Sequence, residues 1–358
     1  MVSASDVALF FLILATSVSV LLALATIVRK VRRDRRTEAS RVRRQLFASS
    51  LGDYLTNPAA HVAEHLERSL ASELRSRGGR RDLIVFLDGL SPDDLAVMSE
   101  MATRSAAMPG LVKLARSRSA VARGTAILLL TLLRDEAALG FATSALNDAD
   151  SDVRLVGVRA LSVMPPTSGV PPLIAALHQG RLPSPRIVER LADTRATSML
   201  VDELKMRFSV SDGTVEESRV GAGVTNALWL IGDTSAEPQL VRLLGLGSIE
   251  ERIAAARALG TCGTASSVDA LRKALRSDDA PVRMQAATAL GSLRAHVAVD
   301  DLRQALADRS WWVRSNAATA LGEMGEPGIV ALQTAVSGPD EFAAHRASEE
   351  LTFLGIAT

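Results

Sequence analysis

Catalysis in this chain would have to begin from a short supply of reactive residues. His61-Val-Ala-Glu64-His65 places two imidazoles one helical turn apart with a carboxylate beside them, the spacing that could hold a zinc ion and supply a general base. Three fixed positions in five residues is an undemanding pattern, and His178, His296 and His345 stand alone elsewhere. The stretch is read as an exposed polar helix face, and no metal site is assigned. Gly221-Ala-Gly223 lacks the later glycine and the preceding strand of a dinucleotide fingerprint. Glu216-Glu217 and Glu349-Glu350 read as solvated helix positions rather than an acid–base pair. The single cysteine, Cys262, excludes an intramolecular disulfide and any cysteine-based zinc site. No catalytic or cofactor-binding residue follows, so the chain is read as a non-enzyme.

The remaining candidate is a binding one. Trp311 and Trp312 are adjacent in a chain that is only 3% aromatic, and they stand where Ala280 and Pro281 stand 31 residues earlier. The residue directly before the following Val-Arg pair, Trp312, is expected to tuck between helices and support stacking. Two such rings do not both bury easily in a short turn, so Trp311 is nominated as a partner contact; tryptophan is enriched at interaction hot spots.

The elements that would position these residues are helical. The 358 residues are 47% hydrophobic and 23% charged at a net +1, with Ala, Leu, Val and Arg as the main materials. That apolar fraction excludes general disorder. The near-zero charge conceals an asymmetry. Val7 to Val28 carries no charge and as a helix would span about 33 Å, enough for a hydrocarbon layer of about 30 Å. A basic run follows, Arg29, Lys30, Arg32, Arg33, Arg35 and Arg36, then Arg41, Arg43 and Arg44. Residues 29–44 sum to +7, which leaves 45–358 at −5. That balance, with so few rings for base stacking, argues against nucleic acid as a partner. Ala23-Leu24-Ala25 resembles a signal-peptide cleavage site, but the dense cations after it resist export. The expectation is an uncleaved single-pass anchor in a bacterial-type inner membrane, N-terminus outside and body in the cytoplasm, with the arginines fixing topology.

The boundaries predicted on this basis are a short tail (1–6), a transmembrane helix (7–28), a basic juxtamembrane helix (29–46), a helical linker region (47–90) and a repeat array (91–358). Within the linker, a turn is expected near Gly52 and a helix from about Pro58 to Arg77, capped by Asn57 and stopped by Gly78-Gly79.

The array is written most clearly near its end. Val282 to Gly291 reads V-R-M-Q-A-A-T-A-L-G, Val313 to Gly322 reads V-R-S-N-A-A-T-A-L-G, and Glu251 to Gly260 reads E-R-I-A-A-A-R-A-L-G. Arg252, Arg283 and Arg314 are therefore 31 residues apart, and Arg123 and Arg154 share the interval. A degraded copy contains Arg186, another puts Val224 in the arginine slot, and Phe353-Leu354-Gly355 closes a last one, about eight units in all. Phe208 to Glu217 looks like an inserted loop. Each unit reads as helix, glycine-containing turn, helix, aspartate-containing turn. One helix pair cannot bury its own apolar face, so the pairs must stack; the predicted fold is an all-α solenoid.

The string V-R-x-x-A-A-x-A-L-G at this period resembles the bacterial HEAT repeat, in particular the short variety named after phycobilisome lyases. That resemblance implies a ladder of aspartate and arginine side chains along the stack, carried here by Arg252, Asp278, Arg283, Asp308 and Arg314. It also implies a scaffold that docks another protein, here at the membrane, such as a polytopic polysaccharide-making glycosyltransferase. The alternative it suggests is a lyase or isomerase acting on a bound chromophore.

Overall fold

The computed structural model describes Thr26, Lys30 and residues 37–179, 184–207 and 215–356. The expected span Val7–Val28, apart from Thr26, and the arginines 29, 32, 33, 35 and 36 lie outside the described residues; Lys30 is exposed. Among the described residues no helix is long and apolar enough to cross a membrane, and every regular element is helical. Contacts divide the chain into two compact units, Met1–Ala138 and Leu139–Thr358.

The first unit contains α1 (37–56), α2 (Ala60–Arg75), α3 (Arg77–Leu87), α4 (Pro92–Arg104), α5 (Met108–Ala115) and α6 (Ala120–Leu132). Leu66, Leu70, Leu87, Met98, Met101, Leu111, Leu129 and Leu130 fill its core. Helix α2 packs on α3 and α4, and α3 on α6, so residues 47–90 are part of a packed body rather than a linker. No turn forms at Gly52, which lies inside α1. Helix α2 starts two residues later than expected, with Ala59 rather than Asn57 at its N-cap and no side-chain cap. The break after α2 is made by Ser76, whose hydroxyl accepts the Gly79 N–H and so begins α3. Gly78 and Gly79 therefore start a helix instead of ending one. Gly79 is bare for a steric reason: a Cβ there would collide with the Glu73 carboxylate and main chain.

The second unit contains α7 (Ala138–Ala145), α8 (Ser151–Ser162), α9 (Pro166–Gln179), α10 (Ser184–Asp193), α11 (Thr197–Arg207), α12 (Val215–Ile231), α13 (Glu237–Leu246), α14 (Ile249–Cys262), α15 (Val268–Ala274), α16 (Ala280–Ser292), α17 (Val299–Ala305), α18 (Trp311–Glu323), α19 (Glu326–Val336) and α20 (Glu341–Phe353). Even-numbered helices from α8 to α20 pack side by side in one layer, each on the next; α11, α13 and α15 form part of a second layer, as do α17 and α19. The slots read from the sequence fall on separate helices: Arg123 on α6, Arg154 on α8, Arg186 on α10, Val224 on α12, Arg252 on α14, Arg283 on α16, Arg314 on α18, and the last copy on α20. Of the expected loop, 208–214 lie outside the described residues and Val215–Glu217 belong to α12.

The repeated letters have repeated environments. Val282 and Val313, the alanine pairs 255–256, 286–287 and 317–318, and Leu259, Leu290 and Leu321 are all fully buried. The Ala-Leu-Gly glycines do not make turns. Gly260 and Gly291 lie within α14 and α16, and a Cβ on them would stand 3.1 Å from the Cα of Ala289 and 2.7 Å from that of Ala320. They are the points where one layer helix presses on the next. Chain reversal happens a few residues later, where Gly232, Arg294 and Gly325 adopt positive φ of 72°, 48° and 70°. Only glycine takes that conformation without steric cost.

Candidate interaction surface

The repeated arginines act first on their own unit. In Arg123, Arg154, Arg283 and Arg314, Nη1 reaches back to main-chain carbonyls at the end of the preceding helix, while Arg252 does so through Nε, to the Leu244 carbonyl at 3.2 Å. Arg123 donates to the carbonyls of Ser117 and Arg118 at 2.9 and 3.0 Å, and Arg154 to those of Asp148 and Ala149 at 2.9 and 3.1 Å. Arg283 donates to Ser277 and Asp278 at 2.8 and 3.0 Å, and Arg314 to Asp308 at 2.8 Å. Arg80, which precedes the expected array, does the same to Leu74 and Arg75, both at 2.9 Å. A helix end leaves carbonyls without partners, and a guanidinium six residues on satisfies them with charge-assisted bonds.

The remaining nitrogens reach the next unit where an acceptor is available. Arg283 holds the Asp308 carboxylate through Nε and Nη2, both at 2.8 Å. Arg252 pairs at 3.2 Å with Asp279 and at 2.9 Å with the Ser277 hydroxyl. The expected ladder member Asp278 takes part through its carbonyl instead, which also accepts from Arg309. Asp279, the extended N-cap residue of α16, takes the pairing that the sequence suggested for Asp278 one residue earlier. Arg314 meets no such carboxylate; its guanidinium lies 4.9 Å over the ring of Phe342.

Other acids also bind across units. Asp301 is buried and accepts from Arg272 and Arg276 at 2.5 and 2.7 Å. Glu237 is buried and accepts the N–H and hydroxyl of Thr264. Glu251 occupies the slot held by valine in the next two units and is fully buried, closing a capping box with Ser248. Space for its carboxylate comes from Gly221, where a Cβ would collide with Oε1. Burial pushes the Cys262 thiol up to about 11, so it stays protonated and packs as a small apolar side chain. His61, Glu64 and His65 are exposed on α2, and among the described residues no group of His, Cys, Asp or Glu is placed to hold a metal ion.

One of the two tryptophans departs from expectation. Trp312 is 64% exposed and Trp311 51% exposed, and the rings meet edge to face with centroids 4.7 Å apart. Trp312 is not a stacking residue. It lies in the first turn of α18, and the inward position there is taken by Val313, so the side chain before it faces solvent. Phe342, 68% exposed, directly precedes the buried Ala343 and holds the same place on α20. The sequence carries that signal as a 30-residue offset from Trp312.

Stacked helical hairpins with a charged ladder between units define the second unit as an α-solenoid. Residues 216–291, 239–310 and 268–352 match HEAT repeats, so this part of the chain is built of them. Among solved structures, the karyopherin Kap121p bound to the extreme C-terminus of the protein phosphatase Cdc14p is similar over 87% of this chain and 39% of its own, with a TM-score of 0.50 and 15% identity. This chain thus spans well under half of that protein, and the likeness is one of fold. The CpcE–CpcF complex of phycocyanin lyase from a Nostoc species covers 60% of this chain and 94% of its own, at TM-score 0.34 and 19% identity. No curated protein matches the chain in sequence.

Proposed function

We propose that this chain is a non-catalytic scaffold whose HEAT-repeat unit docks another protein at the cytoplasmic face of a membrane. In this reading Val7–Val28 is the anchor, the N-terminus lies outside, and the basic run from Arg29 stays within. The observation that carries docking is the Trp311–Trp312 pair, two large rings left in solvent at the edge of a well-packed array. Exposed aromatic clusters are characteristic of contact sites, and tryptophan dominates the energetics of many of them. Fold alone assigns no function. The anchor confines the search to proteins at the same surface, and a polytopic enzyme of the cell envelope meets that condition.

The test is crosslinking of the full chain in native membranes, with Trp311→Ala and Trp312→Ala beside the parent. One discrete adduct should form and fall several-fold in either variant while the melting temperature stays within a few degrees. An adduct indifferent to both substitutions, or early melting of both variants, would remove the pair from the binding surface.

A further inference from the structure

The repeated arginines close helix ends and meet carboxylates, but a group in the first unit does neither. Among the described residues, the guanidinium groups of Arg75, Arg77 and Arg81 at the α2–α3 junction and of Arg41 and Arg44 on α1 have no hydrogen bond or ion pair. All are exposed except Arg44, which is half-buried. Asp82 on α3 brings the two sets together. Its carboxylate accepts the Ser40 hydroxyl at 2.5 Å and the Nε and Nη2 of Arg43 at 2.9 and 2.5 Å. Phe47 closes the same junction edge to face with Phe86, centroids 5.1 Å apart. Arg43 lies against the first turn of α3, where a Cβ on Gly78 would stand 3.3 Å from Nη2.

The charge gathered there is positive and uncompensated. Residues 37–51 carry three arginines and one glutamate, and residues 72–82 carry four arginines and two acids, a net +4. One of those acids, Asp82, is already taken by Ser40 and Arg43. The first turn of α3 holds Arg77 and no acid, although a helix N-terminus is itself positive and favours anions. Arg80, drawn inward onto the carbonyls of Leu74 and Arg75, has its pKa pulled below the ordinary arginine value by burial and then by the Arg77 charge. These cations repel one another, and the described residues supply no counter-charge for them.

Position selects the source of the counter-charge. Thr37 follows Val28 by nine residues, and a chain of that length reaches at most about 32 Å. With Val7–Val28 in the bilayer, this face cannot travel far from the headgroups. The negative potential of an anionic leaflet falls off within about 8 Å at physiological salt, and clustered arginines beside a membrane span are drawn into it. Val85, one turn beyond Arg81 on the same stripe of α3, is 56% exposed. Cations beside a bare apolar side chain suit the boundary between headgroups and acyl chains. We propose that Arg41, Arg44, Arg75, Arg77 and Arg81 dock the first unit on the anionic headgroups of the membrane that anchors it. The proposal rests on the anchor in the reading above and adds a second, electrostatic attachment built by the fold.

The full chain is reconstituted in nanodiscs of phosphatidylcholine alone and of two parts phosphatidylcholine to one part phosphatidylglycerol. Amide hydrogen exchange is followed at residues 76–82, with the α14–α18 helices as an internal reference. Exchange at 76–82 should be at least threefold slower in the anionic discs and unchanged in the reference helices. The difference should vanish in 1 M salt, where the screening length is about 3 Å, and in the double variant Arg77→Gln, Arg81→Gln, with thermal melts showing that variant folded. Equal exchange in the two lipids, or a lipid difference that survives the double variant, overturns the proposal. So does equal slowing by inorganic phosphate in neutral discs, which would mark a site for a soluble anion. Failure of the chain to insert in either bilayer would remove the anchor itself; insertion without dependence on lipid charge would leave the anchor standing and remove only this surface.

Discussion

At the scale of single residues, Asp308 shows how the array resists separation of its units. Burial pushes its carboxyl up, but hydrogen bonds from Arg283 and the Ser310 N–H pull harder in the other direction, so its pKa lies below the ordinary 3.8. A group whose folded pKa is depressed stabilises the fold above its unfolded pKa, and that contribution disappears as pH falls through the folded value. Stability of the second unit should therefore decline below about pH 4, and Asp308→Asn should flatten that part of the profile. Asp308→Ala leaves the nearly buried Arg283 guanidinium without its partner and should cost about 3 kcal/mol, read from urea midpoints at neutral pH.

At the scale of helices, the two recurring devices are an arginine that closes the preceding helix and a glycine that admits the following one. Arg154→Ala frees the carbonyls of Asp148 and Ala149, with an expected cost of about 2 kcal/mol and faster amide exchange at the α7–α8 turn. A lysine there carries the charge but not the planar fork, so Arg154→Lys should recover only part of the loss. Gly291→Ala drives a methyl into the Ala320 main chain and should destabilise by about 1–3 kcal/mol. Gly245, in the last turn of α13, has open space around it, and Gly245→Ala should gain about 0.5–1 kcal/mol. Equal effects at the two glycines would mean that helix approach does not explain the Ala-Leu-Gly motif.

At the scale of the whole molecule, the N-terminal apolar run and its basic flank set an expectation about sidedness. A reporter active only outside the membrane should stay silent when fused after Thr358, and the chain should not be cleaved near Thr26. An active reporter, or a chain trimmed near Thr26, would replace the anchor with an exported protein and place the Trp311–Trp312 pair on the other side.

The helical array was readable because the same environment is written repeatedly along the chain. Val282, Arg283, Ala286, Ala287 and Leu290 find counterparts 31 residues later, and any one copy supports the others. Arg186 and Val224 could be placed on helices even where their own copies were degraded. Local breaks were less readable: Gly52 and Gly78-Gly79 suggest turns by composition, yet helix packing and the Ser76 cap override them. Least readable were the matters that depend on what lies across the gap between units. Whether Asp278 or Asp279 meets an arginine turns on one residue of register. A carboxylate fits in a valine slot at Glu251 because Gly221, thirty residues away, leaves room for it. Trp312 stays in solvent because Val313 already occupies the inward position. Period and composition report which face of a helix is apolar; which neighbour that face meets, and at what height, is settled by side chains distant in sequence packing against it.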